Sequence, residues 1–167
     1  HREKVKEGWM SRVYSIDQAF SEFSRIYVHI DLAIHGEQQK VVEITTTTAV
    51  IYVNPGTAEG KAYIDAIIGS VQAVYCHTLH LAEHLLDYLD SGKVCVDVHG
   101  ITPEEEAMMG NPGNVERYNY VETQVLAKAR LCIFVTNAMD EHYRCKYPEI
   151  RANWTKVGIF AKFSSHG

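Results

Sequence analysis

Val94-Cys95-Val96-Asp97-Val98-His99-Gly100-Ile101-Thr102-Pro103-Glu104-Glu105 decides how this chain is read. A short apolar run breaks at His-Gly, and a Pro-Glu-Glu helix start follows three residues later. Strands covered on both faces read as near-continuous apolar runs, and such strands belong to parallel sheets. Val94 to Val98 is therefore predicted as an inner strand. His99 then stands at its carboxyl end, where open α/β sheets hold their ligands. Glu104 and Glu105 favour the helix start through its dipole, worth roughly 0.3–1 kcal/mol each. Glu105 also falls three residues after Thr102, the spacing of a capping box. That structural use outweighs a general-base role for either glutamate.

Upstream of this segment, residues 79–89 predict an amphipathic helix. Leu81, Ala82, Leu85, Leu86, Tyr88 and Leu89 share one side, and His80, Glu83, His84 and Asp87 share the other. Ser91-Gly92 stops it. Residues 73–76 read as a short buried strand, and residues 61–69 as a largely covered helix. Residues 41–53 are dominated by β-branched residues. They form either one strand with an irregular lead-in or a pair of short strands, ended by Asn54-Pro55-Gly56. Gly36 to Lys40 is a polar loop, and residues 25–30 are a strand. After Gly8, Val13, Ile16, Phe20 and Phe23 fall on one helical face.

Downstream, residues 110–114 read as a loop. Residues 115–129 predict a helix with Tyr118, Val121, Val125 and Ala129 in line. Residues 131–135 are the next buried strand. Residues 138–147 form a helix stopped by Pro148, and residues 156–160 are a last strand. Strands alternating with helices predict a Rossmann-like parallel sheet with helices on both faces. Right-handed crossovers place the loops after Cys76, Val98 and Val135 on one sheet edge.

The chain has 167 residues, 46% of them hydrophobic and 22% charged. That length suits a single domain over residues 1–167. A formal charge of -5 excludes a broad nucleic-acid-binding surface. No stretch approaches the ~18 apolar residues of a membrane span, and residues 1–7 lack the apolar core of a signal peptide. Cys76, Cys95, Cys132 and Cys145 contain no CxxC pair, and the first three lie in apolar runs. A reducing, cytoplasmic compartment fits them.

His80 and His84 have the i, i+4 spacing of helical zinc ligands. They lack the glutamate of HExxH, and a solvated polar face with Glu83 and Asp87 is the preferred reading, with no metal expected. Glu122 and Arg117 fit either a polar lining or a surface face. Thr136 and Asn137 are expected to cap the following helix. Gly8 could admit a phosphate at a helix start, although a lone glycine before a helix has an ordinary structural use. Tyr118 and Tyr120 fit core or interface positions better than a sugar platform.

The ordered set of loops resembles the amino-terminal, acceptor-binding domain of a family-4 glycosyltransferase of GT-B architecture. Glu7-Gly8-Trp9-Met10-Ser11-Arg12 is similar to the family's glycine loop and first helix. Val74-Tyr75-Cys76-His77-Thr78 is similar to its strand ending in His and a small polar residue. Asp97-Val98-His99-Gly100 with Pro103-Glu104-Glu105 is similar to its His-Gly loop. Glu122 and the run from Ala129 to Met139 are similar to the helix, strand and turn near the domain's end. The likeness covers roughly residues 8–160, carried by the order of the motifs rather than by any one of them.

The resemblance implies a retaining hexosyltransferase without metal or cofactor. It would move a sugar from a nucleotide-diphosphate sugar donor to a hydroxyl of a sugar or lipid-linked acceptor, in polysaccharide or glycolipid biosynthesis. It implies that His99 serves catalysis and that Gly8 and Arg12 approach the donor phosphate. His77, Thr78, Gly100, Thr136 and Asn137 would shape the acceptor cleft. The carboxyl-terminal donor domain with its Glu-x7-Glu element is missing from these residues, so the chain alone is expected to be inactive. Peripheral association with the inner face of a membrane is expected of the full-length protein. Two features depart from the family. The charged residues 1–7 do not read as the strand that precedes the glycine loop, and Trp9 stands where many relatives carry a second glycine. The rivals are a sugar epimerase or phosphorylase of similar architecture and a non-catalytic Rossmann-like binding module. A dinucleotide-binding or flavodoxin-like domain is disfavoured because no GxGxxG is present.

Overall fold

The computed structural model describes residues 8–36, 40–151 and 153–158. The chain divides into two compact units. One carries the first helix through Asp17 together with the residues from Val74 onward; the other is Gln18–Ala73. The expectation of a single domain thus meets two separate clusters of contacts. The predicted α/β class holds.

The larger unit is built on a four-stranded sheet in the order β4-β5-β6-β7, all neighbours parallel. Its strands are β4 (Val74–Cys76), β5 (Val94–Val98), β6 (Leu131–Phe134) and β7 (Trp154–Lys156). Val94, Val96 and Val98 are buried on β5 as the apolar run predicted. Each fully buried valine stabilises by about 1.5–3 kcal/mol. Helix α5 (Pro112–Lys128) buries Tyr118, Val121, Val125 and Leu126, close to the predicted line. Helix α6 (Asn137–Lys146) buries Met139 and Tyr143, and Tyr143 stacks on Phe134 of β6 at 5.0 Å between ring centroids. The last strand lies at Trp154–Lys156 rather than after Lys156, and residues 159 and 160 fall outside the described residues.

Several helices differ from expectation for identifiable reasons. The first, α1, is Gly8–Ala19 and stops before Phe20 and Phe23. Those two rings meet edge to face at 5.9 Å but stay exposed, so they are not part of a buried helical stripe. Residues 79–91 are one α-helical turn, α3 (Leu79–Ala82), followed by a 3₁₀ helix (Glu83–Ser91). Leu79, Ala82 and Leu89 are buried, whereas Leu81, predicted inward, is exposed. Gly92 ends this segment in the left-handed region at φ 68°, which glycine reaches without a Cβ penalty.

Helix α4 is Thr102–Met108. Its cap residue is Ile101, so Thr102 is inside the helix and does not close the expected capping box. Glu105 still reaches back, accepting the Ile101 N–H at 3.2 Å. Helix α5 begins at Pro112, inside the predicted loop, because proline suits a first helical position. Asn111 and Asn114 of that loop donate to the buried Glu106 at 2.9 Å each.

The smaller unit is a three-stranded sheet in the order β1-β3-β2 with helix α2. Strand β1 (Arg25–Ile30) runs parallel to β3 (Thr48–Val53), and β2 (Lys40–Thr45) runs antiparallel to it. Residues 41–53 are therefore a pair of strands. The threonine run makes the turn between them, where Thr45 Oγ1 accepts the Thr47 N–H at 3.2 Å. Of the polar loop 36–40, residues 37–39 lie outside the described residues and Lys40 already belongs to β2. Helix α2 is Ala58–Ser70, capped by Thr57, and starts three residues before the prediction. Among the described residues no helix is long and apolar enough to cross a membrane.

Candidate functional site

Four parallel strands bring their carboxyl ends to one edge. The loops His77-Thr78 after β4, His99-Gly100 after β5 and Thr136-Asn137 near the end of β6 therefore share that edge, as predicted. Thr78 and Thr136 have a local use there. Thr78 Oγ1 accepts the Leu81 N–H and Thr136 Oγ1 the Met139 N–H, each at 3.2 Å, capping α3 and α6. Asn137 Oδ1 accepts from Lys156 Nζ.

Asp97 is the centre of the site. It lies on β5, which is covered on both faces, so its carboxylate has no solvent contact. A buried charge must find a counter-charge and hydrogen bonds. Arg12 of α1 supplies both. Its Nε donates to Oδ2 at 2.6 Å and its Nη2 to Oδ1 at 2.8 Å, the two-pronged fork of guanidinium on carboxylate. Tyr75 of β4 donates its hydroxyl to Oδ2 at 2.5 Å. His99 Nε2 lies 3.0 Å from the same oxygen. Burial by itself would raise the Asp97 carboxyl. Hydrogen bonds from His99, Arg12 and Tyr75 overcome it and hold the group down at about 2.

This fixes the chemistry of His99. An ionised carboxylate only accepts hydrogen bonds. The proton in the His99–Asp97 contact is therefore on Nε2, and in the neutral ring Nδ1 keeps its lone pair. Asp97 orients the imidazole and selects its tautomer, as carboxylate partners of functional histidines do. Next to it, His77 meets Tyr75 edge to face at 4.9 Å. Its Nδ1 is buried and has no hydrogen-bond partner among the described residues. Desolvation lowers the basicity of His77, the Asp97 carboxylate opposes it, and the Arg12 charge adds to it. Burial thus favours the neutral form of the His77 imidazole.

His77, Asp97 and His99 each present an atom within 4.8 Å of the others, the grouping among the described residues that could hold a metal ion. The donor set does not suit one. Asp97 Oδ2 already accepts from three groups, and a cation there would face the Arg12 guanidinium. Like unit charges 4 Å apart near a protein surface repel by about 4 kcal/mol. The helical pair His80 and His84 belongs to no such group. His80 lies edge-on to Tyr118 at 4.7 Å instead.

The predicted residues fare differently. His99, Gly100, His77, Thr78, Thr136 and Asn137 lie on the shared edge. Gly8 opens α1. Arg12, expected at a donor phosphate, is buried, and its guanidinium is committed to Asp97 and, through Nη1, to the Val157 carbonyl at 2.6 Å. The side chain of Trp9 and the whole of residues 1–7 lie outside the described residues. Arg117 is exposed and paired with Glu83, while Glu122 is fully buried, which separates two residues that the sequence left together. Sequence reasoning missed Asp97 and Tyr75. The signal for Asp97 was present, since a lone acid inside an apolar strand requires a buried partner. The partner stands 85 positions away, and nothing in the sequence marks it.

The chain matches no protein-family model, no curated protein and no solved structure.

Proposed function

We propose that this chain is the acceptor-binding half of a retaining glycosyltransferase of GT-B type. It would work at the cytoplasmic side of a membrane in polysaccharide or glycolipid assembly. The donor, a nucleotide-diphosphate sugar, would be held mainly by a second half outside residues 1–167. The observation that carries this reading is the Asp97-oriented His99 at the carboxyl end of β5. The neighbouring His77 lies on the same edge, with an atom within 4.8 Å of those of Asp97 and His99.

In the proposed reaction the bond from the anomeric carbon to the diphosphate oxygen breaks. A bond from the acceptor oxygen to that carbon forms on the same face. The acceptor's proton passes to the departing diphosphate oxygen. Positive charge develops on the sugar ring in the transition state, as in other glycosyl transfers. His99 Nδ1 accepts a hydrogen bond from a donor-sugar hydroxyl, which leaves that hydroxyl oxygen more electron-rich as the charge develops. Asp97 strengthens the effect by holding the Nε2 proton.

The test is sugar transfer by the full-length protein from a panel of nucleoside diphosphate hexoses to lipid-linked and oligosaccharide acceptors. His99→Ala is expected to lower turnover by roughly 10²-fold, the scale of losing one transition-state contact, with the fold retained and a modest fall in thermal midpoint from the lost hydrogen bond to Asp97. Turnover equal to the parent protein removes His99 from the mechanism. Binding of acceptor without transfer of any sugar in the panel overturns the enzymatic reading in favour of a binding module.

A further inference from the structure

The peptide that follows His99 is gripped from both sides. Its next unit, Gly100–Ile101, presents a carbonyl and an N–H. The Gly100 carbonyl accepts from the Tyr143 hydroxyl at 3.2 Å. The Ile101 N–H donates to Glu105 Oε1 at 3.2 Å. One peptide plane is therefore tied by two side chains from two helices, α6 and α4. Glycine suits the first position, because a Cβ on Gly100 would run into the Glu105 carboxylate.

Tyr143 is itself held without freedom. It is fully buried, and its ring stacks on Phe134 with planes 20° apart. Burial first, and then the neighbouring Glu122 carboxylate, push its hydroxyl well above the ordinary tyrosine range, so it stays a donor at every accessible pH. Glu122 is fully buried on α5, and its Oε1 accepts from Lys146 Nζ and from the Tyr147 hydroxyl at 2.7 Å each. Lys146 also donates to Glu104 Oε1 at 2.8 Å. One ammonium thus ties α4, α5 and α6 together directly behind the residue that holds Gly100.

We infer that Tyr143 and Glu105 are positioning residues for His99: by clamping the Gly100–Ile101 peptide they fix the imidazole on Asp97. Asp97 grips the ring from the strand side, and the clamp grips the backbone from the helix side. With the backbone free, the ring could keep its place only through one hydrogen bond to an oxygen that already accepts two others. The inference does not depend on which reaction His99 performs.

The experiment is nuclear magnetic resonance on the nitrogen-labelled protein at a pH where the imidazoles are neutral. In the parent protein the His99 ring nitrogens should report a protonated Nε2. Tyr143→Phe keeps the stacked ring and removes only the donor. It should turn the His99 signals toward a mixture of tautomers and speed exchange of the Ile101 amide roughly tenfold, the effect of one lost hydrogen bond. Glu105→Ala should do the same, while Glu105→Gln, which keeps an accepting oxygen, should restore the parent pattern. A parent-like His99 tautomer and Ile101 exchange in both Tyr143→Phe and Glu105→Ala overturn the inference. So does a lowered thermal midpoint with both signals intact, which would mark a purely structural role.

Discussion

Asp97 keeps a negative charge without solvent, and its three donors are therefore accountable for part of the stability. An unfolded aspartate titrates near ~3.9, whereas the folded one is held at about 2. A depressed folded value means stability that is complete above the unfolded value and disappears as pH falls through the folded one. Acid unfolding between about pH 4 and 2 should therefore contain a step that Asp97→Asn lacks, worth roughly 2 kcal/mol by linkage. Urea unfolding at several pH values measures it. Arg12→Met should cost more at neutral pH, about 3–5 kcal/mol, because it leaves the carboxylate buried without its counter-charge. In the same measurement the double change Arg12→Met with Asp97→Asn should cost less than the sum of the two single changes, since the residues share one contact.

At the scale of the element, local signals were mostly sufficient. Arg25–Ile30 and Val94–Val98 are strands over the predicted residues because apolar or β-branched runs of that length have few other uses. Thr136 was legible as a cap from its type and place, and its removal has a predictable cost. Thr136→Ala should destabilise by about 1 kcal/mol, read as a lowered urea midpoint with an unchanged slope. Because α6 carries Tyr143, it should also loosen the Gly100 clamp. The 3₁₀ form of Glu83–Ser91 was not legible. Apolar residues three and four apart satisfy an α-helix and a 3₁₀ helix alike, and only packing chooses between them. The start of α5 at Pro112 was hidden behind a loop-like composition whose two asparagines act on Glu106.

At the scale of the whole molecule, the chain holds two compact units of unequal core. The larger contains a contiguous cluster that includes Val96, Val98, Val125, Leu126, Cys132, Phe134 and Tyr143. The smaller buries Val50, Ile51, Val53, Ile64 and Ile68. Exchange protection follows buried packing. Amides of β5 and β6 should be the slowest in the protein, and those of β1 should exchange faster and as a separate group. Equal protection of the two sheets would contradict this.

The sequence by itself determined the α/β class, the placement of β5, and the shared edge that carries His77, His99 and Thr136. These follow from periodicity and from the fact that parallel strands end on one side. Only the tertiary structure decided what His99 is bound to and what holds it. Arg12 and Asp97 meet across 85 positions, and Tyr143 reaches Gly100 across 43. Such contacts leave no local pattern, because a buried charge demands a partner but does not say from where along the chain it must come.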